Sequence, residues 1–94
     1  MDAPLITGYR YITRVPGTAG GRPIIRGTRT TVKNIVGFYK LGMSPDELLR
    51  ELPHLTPAQL FEALSYYYDH EEEIEGELAA DRGAYLRLKA GQAP

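Results

Sequence analysis

The chain contains no cysteine and no tryptophan, and only two histidines in 94 residues. The lack of cysteine excludes disulfides, thiolate metal sites and cysteine nucleophiles, and it fits a reducing cytoplasm. No apolar run approaches the roughly 18 residues of a membrane span, and no basic-then-apolar leader opens the chain. Acidic residues are missing from one long stretch: none occurs between Asp2 and Asp46. Residues 1–43 carry seven Lys/Arg and one acid, a net of +6, whereas residues 44–94 carry four Lys/Arg and eleven acids, a net of −7. The overall charge of −1 therefore conceals a basic half, suited to an anionic partner such as nucleic acid, and an acidic half.

What is present reads as one soluble α+β domain. Residues 1–30 form an N-terminal arm and strands, residues 31–69 a helical core, and residues 70–94 an acidic C-terminal helical extension. Residues 1–8 read as a loose arm. Tyr9 to Val15 alternates as a strand, with Arg10, Ile12 and Arg14 on one face, and Pro23 to Arg26 reads as a second, shorter strand. The intervening 16–21 stretch is a turn; it lacks the Gly-Lys-Ser/Thr ending of a phosphate loop. Thr30 or Thr31 caps a helix running to about Leu41, with Gly42 ending it. Ser44-Pro45-Asp46-Glu47 is a capping box with proline at the first helical position, and Thr56-Pro57-Ala58-Gln59 repeats the signal. The third helix carries Leu60, Phe61, Leu64, Tyr67 and Tyr68 and continues through Ile74 and Leu78 toward Leu88.

The motif Gly20-Gly21-Arg22-Pro23, then Gly27-Thr28-Arg29, Leu41-Gly42-Met43-Ser44-Pro45, Pro53-His54-Leu55-Thr56 and Ala63-Leu64 followed, one residue on, by Tyr66-Tyr67 resembles a small prokaryotic family. That family is catalogued as domain of unknown function four-three-three and looks like VapB-type antitoxins. The resemblance covers roughly Tyr11 to Asp69. It implies a homeodomain-like helix-turn-helix of three helices behind short strands, a PIN-like ribonuclease toxin as partner, and autorepression at operator DNA. No constellation of residues supports catalysis, so neither enzyme activity nor a cofactor is expected.

The candidate nucleic-acid contacts are Arg10, Arg14, Arg22, Arg26, Arg29 and Lys33, since arginine holds phosphate bidentately. Gln59 on the third helix adds a possible adenine contact. Against this, Arg26 and Arg29 could instead pair internally with the acidic helices. Glu62 and Asp69, expected on the exposed side of the third helix with Ser65 and Tyr66, would repel a polyanion. Tyr66, Tyr67 and Ile74 are the expected homodimer contacts. Asp69 to Glu73 lacks the paired-histidine spacing of a zinc site, so no metal is expected there, and His54 reads as a turn residue. Arg82, Arg87 and Lys89 are the only cations after Arg50. With Tyr85, Leu86 and Leu88 they form a cationic helical segment suited to a carboxylate-lined groove on the toxin. A stand-alone DNA-binding regulator and a dimerisation module without nucleic acid are the alternative functions.

Overall fold

A computed structural model describes residues 5–6 and 8–91, with side chains from Gly8 to Arg87. The expected N-terminal arm falls largely outside the described residues, as do residues 92–94. The order is β1 (Leu5–Ile6), β2 (Ile12–Arg14), β3 (Ile24–Ile25), α1 (Val32–Lys40), α2 (Pro45–Glu51), α3 (Pro57–Asp69) and α4 (Glu71–Gly91). The strands form one antiparallel sheet with β2 central, pairing Ile12 with Ile25 and Leu5 with Arg14. The class is α+β, as expected.

β2 is shorter than the Tyr9–Val15 alternation suggests, and a hydrogen bond to a helix distant in sequence accompanies the shortening. The Tyr11 N–H donates to the Glu62 carboxylate at 2.9 Å instead of joining a ladder. The chain preceding Ile12 is thereby strapped onto α3.

Helix boundaries follow the caps. The Thr31 hydroxyl accepts from the Asn34 N–H at 3.0 Å and starts α1. Gly42, at φ +95°, closes that helix: its N–H donates to the Tyr39 carbonyl and the Met43 N–H to the Phe38 carbonyl. Those two bonds are the pair that terminates a helix through a left-handed glycine. Ser44 with Glu47 and Thr56 with Gln59 form reciprocal capping boxes, each with proline in the first turn.

The core is one cluster built from Ile12 and Ile25 of the sheet, Val32, Ile35 and Val36 of α1, Leu48 of α2, Leu60 and Leu64 of α3 and Ile74 of α4. Full burial of a side chain such as Ile74 contributes about 1.5–3 kcal/mol, so the first turns of the expected 70–94 extension belong to the core.

The long third helix is corrected to two. α3 stops at Asp69, and His70 leaves helical geometry at φ −135°, ψ 43°. Neither glycine nor proline marks the break. The His70 ring stacks on Tyr66 (4.1 Å between centroids, 17° between planes), and its Nδ1 lies 3.0 Å from the Tyr66 carbonyl. The ring thus serves the end of α3, while the His70 carbonyl accepts the Ile74 N–H at 3.1 Å as α4 begins. Glu71, Glu72 and Glu73 occupy the first turn of α4, where the helix dipole favours carboxylates. The described residues therefore hold four α-helices.

Candidate functional site

α4 runs antiparallel to α1: Lys40 bonds Glu75 at 2.6 Å near one end, and Lys33 bonds Asp81 near the other. Arg22, from the chain before β3, reaches the same Asp81 carboxylate at 3.1 Å. Arg14 on β2 pairs with Glu73, and the Tyr66 hydroxyl lies between them, 2.7 Å from each. Among the described residues, four of the seven cations of the basic half are thus paired with three carboxylates of the acidic half. Lys33 and then Arg22 hold the Asp81 carboxyl below its ordinary value. Burial works to raise Glu73, but the Tyr66 hydroxyl and Arg14 outweigh it, and that carboxyl is also lowered. Burial and then Glu73 push the Tyr66 phenol up to about 12.

This arrangement gives several of the expected nucleic-acid contacts partners within the chain. Arg14, Arg22 and Lys33 are engaged by carboxylates inside the chain, and Gln59 completes the capping box of α3. The face that carries Arg14 also carries Ile12, which is fully buried, so alternation points Arg14 at the helices. Internal pairing does occur, but not for the residues expected to show it. Arg26 and Arg29 are exposed, and among the described residues neither has an ion pair. The Arg26 Nε donates to the Arg10 carbonyl at 3.2 Å, and the Arg10 guanidinium lies 5.2 Å from the centre of the Tyr11 ring. Arg10, Arg26 and Arg29 are what remains of the basic face.

Within Gly27-Thr28-Arg29 the structural residue is the threonine. The Thr28 hydroxyl donates to the Ile25 carbonyl at 2.8 Å and accepts the Thr30 N–H at 3.0 Å, while Gly27 supplies φ +79°. Thr30 in turn lies 2.7 Å from Nε2 of His54, so the turn before α1 is tied to the turn between α2 and α3. His54 is a turn residue, as expected.

The acidic face of α3 is occupied by the N-terminal segment. Glu62 holds the Tyr11 backbone, and Asp69 accepts from the Tyr9 hydroxyl, which raises that phenol to about 12. The Tyr9 ring meets Tyr66 edge-on at 5.0 Å. Tyr66, Tyr67 and Ile74, the expected dimer contacts, are 2%, 7% and 0% exposed. They are packed within one copy and are corrected from interface to core. Tyr68, which the sequence groups with Leu60, Leu64 and Tyr67 on the third helix, does not share their burial and is 55% exposed. The actual exposed stripe of α3 is Ala58, Phe61, Ser65 and Tyr68, a helical repeat that the broad run of apolar residues concealed.

Past Asp81, α4 continues beyond the start of α1 for ten residues, about 15 Å of helix. Arg82 and Arg87 are exposed there, as are Tyr85 (61%) and Leu86 (56%). Leu88 and Lys89 lie on the same helix, with side chains outside the described set. An open cleft of about 440 Å³ between α1 and α4 is lined by Lys33, Asn34, Gly37, Phe38, Leu41, Leu78 and Asp81. Its one carboxylate is the clasped Asp81. Among the described residues no cluster of His, Asp and Glu is placed to hold a metal ion, and no helix is long and apolar enough to cross a membrane.

Among curated proteins, no sequence matches the chain. A crystal structure of a DUF433 member protein from Anabaena variabilis ATCC 29413 is similar, with 38% identity and a TM-score of 0.70 over 73% of this chain and 68% of that one. The family described as "Protein of unknown function (DUF433)" matches residues 12–67, from the central strand through the buried tyrosines of α3, and the chain belongs to that family.

Proposed function

We propose that this chain is a non-enzymatic binding protein of the antitoxin kind, whose α4 end docks on a PIN-like ribonuclease and masks it. The observation that carries the reading is the projecting end of α4. Tyr85 and Leu86 stand exposed beside Arg82 and Arg87, and no acid follows Asp81 in the sequence. A helix with apolar anchors and flanking cations suits a groove lined by the carboxylates that bind divalent metal. The helix is already formed and held to the body by Asp81, so docking orders little additional chain and loses less free energy to that ordering.

Operator binding is the accompanying role. It draws on the exposed Arg10, Arg26 and Arg29, with α1 to α3 read as a homeodomain-like helix-turn-helix. Three phosphate contacts would give a shallow salt dependence, a slope of roughly −2.7 in log K against log salt, suited to weak autorepression. A stand-alone regulator shares this basic trio but has no use for the apolar end of α4.

The test is co-purification with the ribonuclease encoded beside the gene, followed by inhibition of its RNA cleavage. Wild-type protein is expected to inhibit stoichiometrically, and Tyr85→Asp with Leu86→Asp to lose inhibition while melting at the wild-type temperature. Full neutralisation by a chain truncated after Gly83 would sink the reading.

A further inference from the structure

We propose that two copies of this chain pair through the exposed face of α3, antiparallel, with the two-fold axis passing at the level of residue 63. The stripe Ala58, Phe61, Ser65, Tyr68 alternates small and large along one face, and all four residues are exposed. An antiparallel copy centred at residue 63, the middle of α3 (57–69), sets Phe61 opposite Ser65 of the second copy and Tyr68 opposite its Ala58. Each ring then meets a small side chain, and the match is self-complementary, as a two-fold interface requires. Tyr68, the larger of the two rings, is held in place before any encounter. The Tyr68 hydroxyl lies 2.7 Å from that of Tyr39, and the two rings meet at 90°.

Charge favours the same arrangement. α3 has no acidic residue in its first turn and no basic residue in its last, so both ends of its dipole lack a compensating side chain. The antiparallel register brings Asp69 of each copy beside Pro57 of the other. The acidic C-terminal end thus meets the positive end of the facing helix. A nucleic acid would meet the opposite situation, since the stripe carries no cation and is followed by Asp69, Glu71 and Glu72.

Phe61 and Tyr68 are 54% and 55% exposed, which leaves about 200 Å² of aromatic surface open on each copy. A standard interface removes about 800 Å² per partner. The stripe therefore supplies the anchoring centre of a modest interface, and the expected dimer is a weak one. The proposal is independent of the α4 end and of any toxin.

Sedimentation equilibrium of the full chain across the micromolar range tests it, with circular dichroism to verify folding of each variant. Wild-type protein is expected to dimerise. Phe61→Ser alone and Ser65→Phe alone are each expected to weaken the dimer roughly tenfold or more. The double exchange, Phe61→Ser with Ser65→Phe, puts a ring opposite a small side chain again and is expected to recover most of the affinity. Leu41→Asp, in the α1–α4 cleft, is expected to leave the dimer intact. A monomer at every concentration overturns the proposal. So does a dimer indifferent to Phe61→Ser, a double exchange no better than the weaker single, or a dimer lost in Leu41→Asp.

Discussion

Replacing Arg14 by alanine separates a structural cation from a ligand-binding one. Arg14 bonds the Glu73 carboxylate and the Tyr66 hydroxyl, with 27% of its side chain exposed against 32% for Glu73. Its removal leaves a half-buried carboxylate whose remaining hydrogen bond, among the described residues, is to the Tyr66 hydroxyl. Hydrogen bonds to charged groups are worth about 1.5–3 kcal/mol, and partial exposure places this one at the lower end. A loss of about 1.5 kcal/mol lowers the melting temperature of a domain this size by about 6–12 °C. Arg29→Ala, an exposed residue without an ion pair among the described residues, should stay within about 0.5 kcal/mol of wild type. Thermal melts of both variants at low and high salt give the comparison, and a cycle with Glu73→Ala isolates the pair. Equal melting temperatures for Arg14→Ala and Arg29→Ala, or no coupling in the cycle, would refute the internal-neutralisation argument.

Acid should loosen α4. Glu73, Glu75 and Asp81 are all lowered from ordinary values of 4.5, 4.5 and 3.8. Their stabilisation is complete above about pH 4.5 and disappears as the pH falls through the depressed values; a circular-dichroism titration with steady stability down to pH 3 would contradict it. Glu77 has the opposite sign, because burial raises its carboxyl and Oε1 is buried without a hydrogen bond among the described residues. Glu77→Gln is therefore expected to stabilise the protein at neutral pH by about 0.5–1 kcal/mol, read from denaturant midpoints. Gly76 lies inside α4 with open space where a Cβ would stand, so Gly76→Ala should stabilise by about 1 kcal/mol. Gly42→Ala, forced to φ +95°, should destabilise by about 1–2 kcal/mol; chemical denaturation of the two variants should move in opposite directions.

Several features were legible in the sequence because their causes span only a few residues. The capping boxes at Ser44 and Thr56 and the glycine stop at Gly42 depend on bonds between residues three to five apart. The family resemblance rests on those same segments. The break at His70 was hidden, because no residue there forbids a helix. It arises where the His70 ring serves the end of α3 and Ile74 is buried, though the run of glutamates after it was a visible sign of a new helix start. The three tyrosines divided unexpectedly for a related reason: which side of α3 is inside depends on where α1, α4 and Tyr9 pack.

The charge split shows the division most clearly. The sequence by itself determined that a basic half and an acidic half exist, that cysteine chemistry is absent, and that helices start and stop where caps dictate. Only the tertiary structure decided where those charges are used. Arg14 meets Glu73 across 59 residues, and Lys33 meets Asp81 across 48. Such pairs form because α4 folds back along α1 and the strands lie against α3, bringing distant side chains within bonding reach. The same packing leaves Arg10, Arg26 and Arg29, the Phe61–Tyr68 stripe and the end of α4 as the surfaces still open to partners.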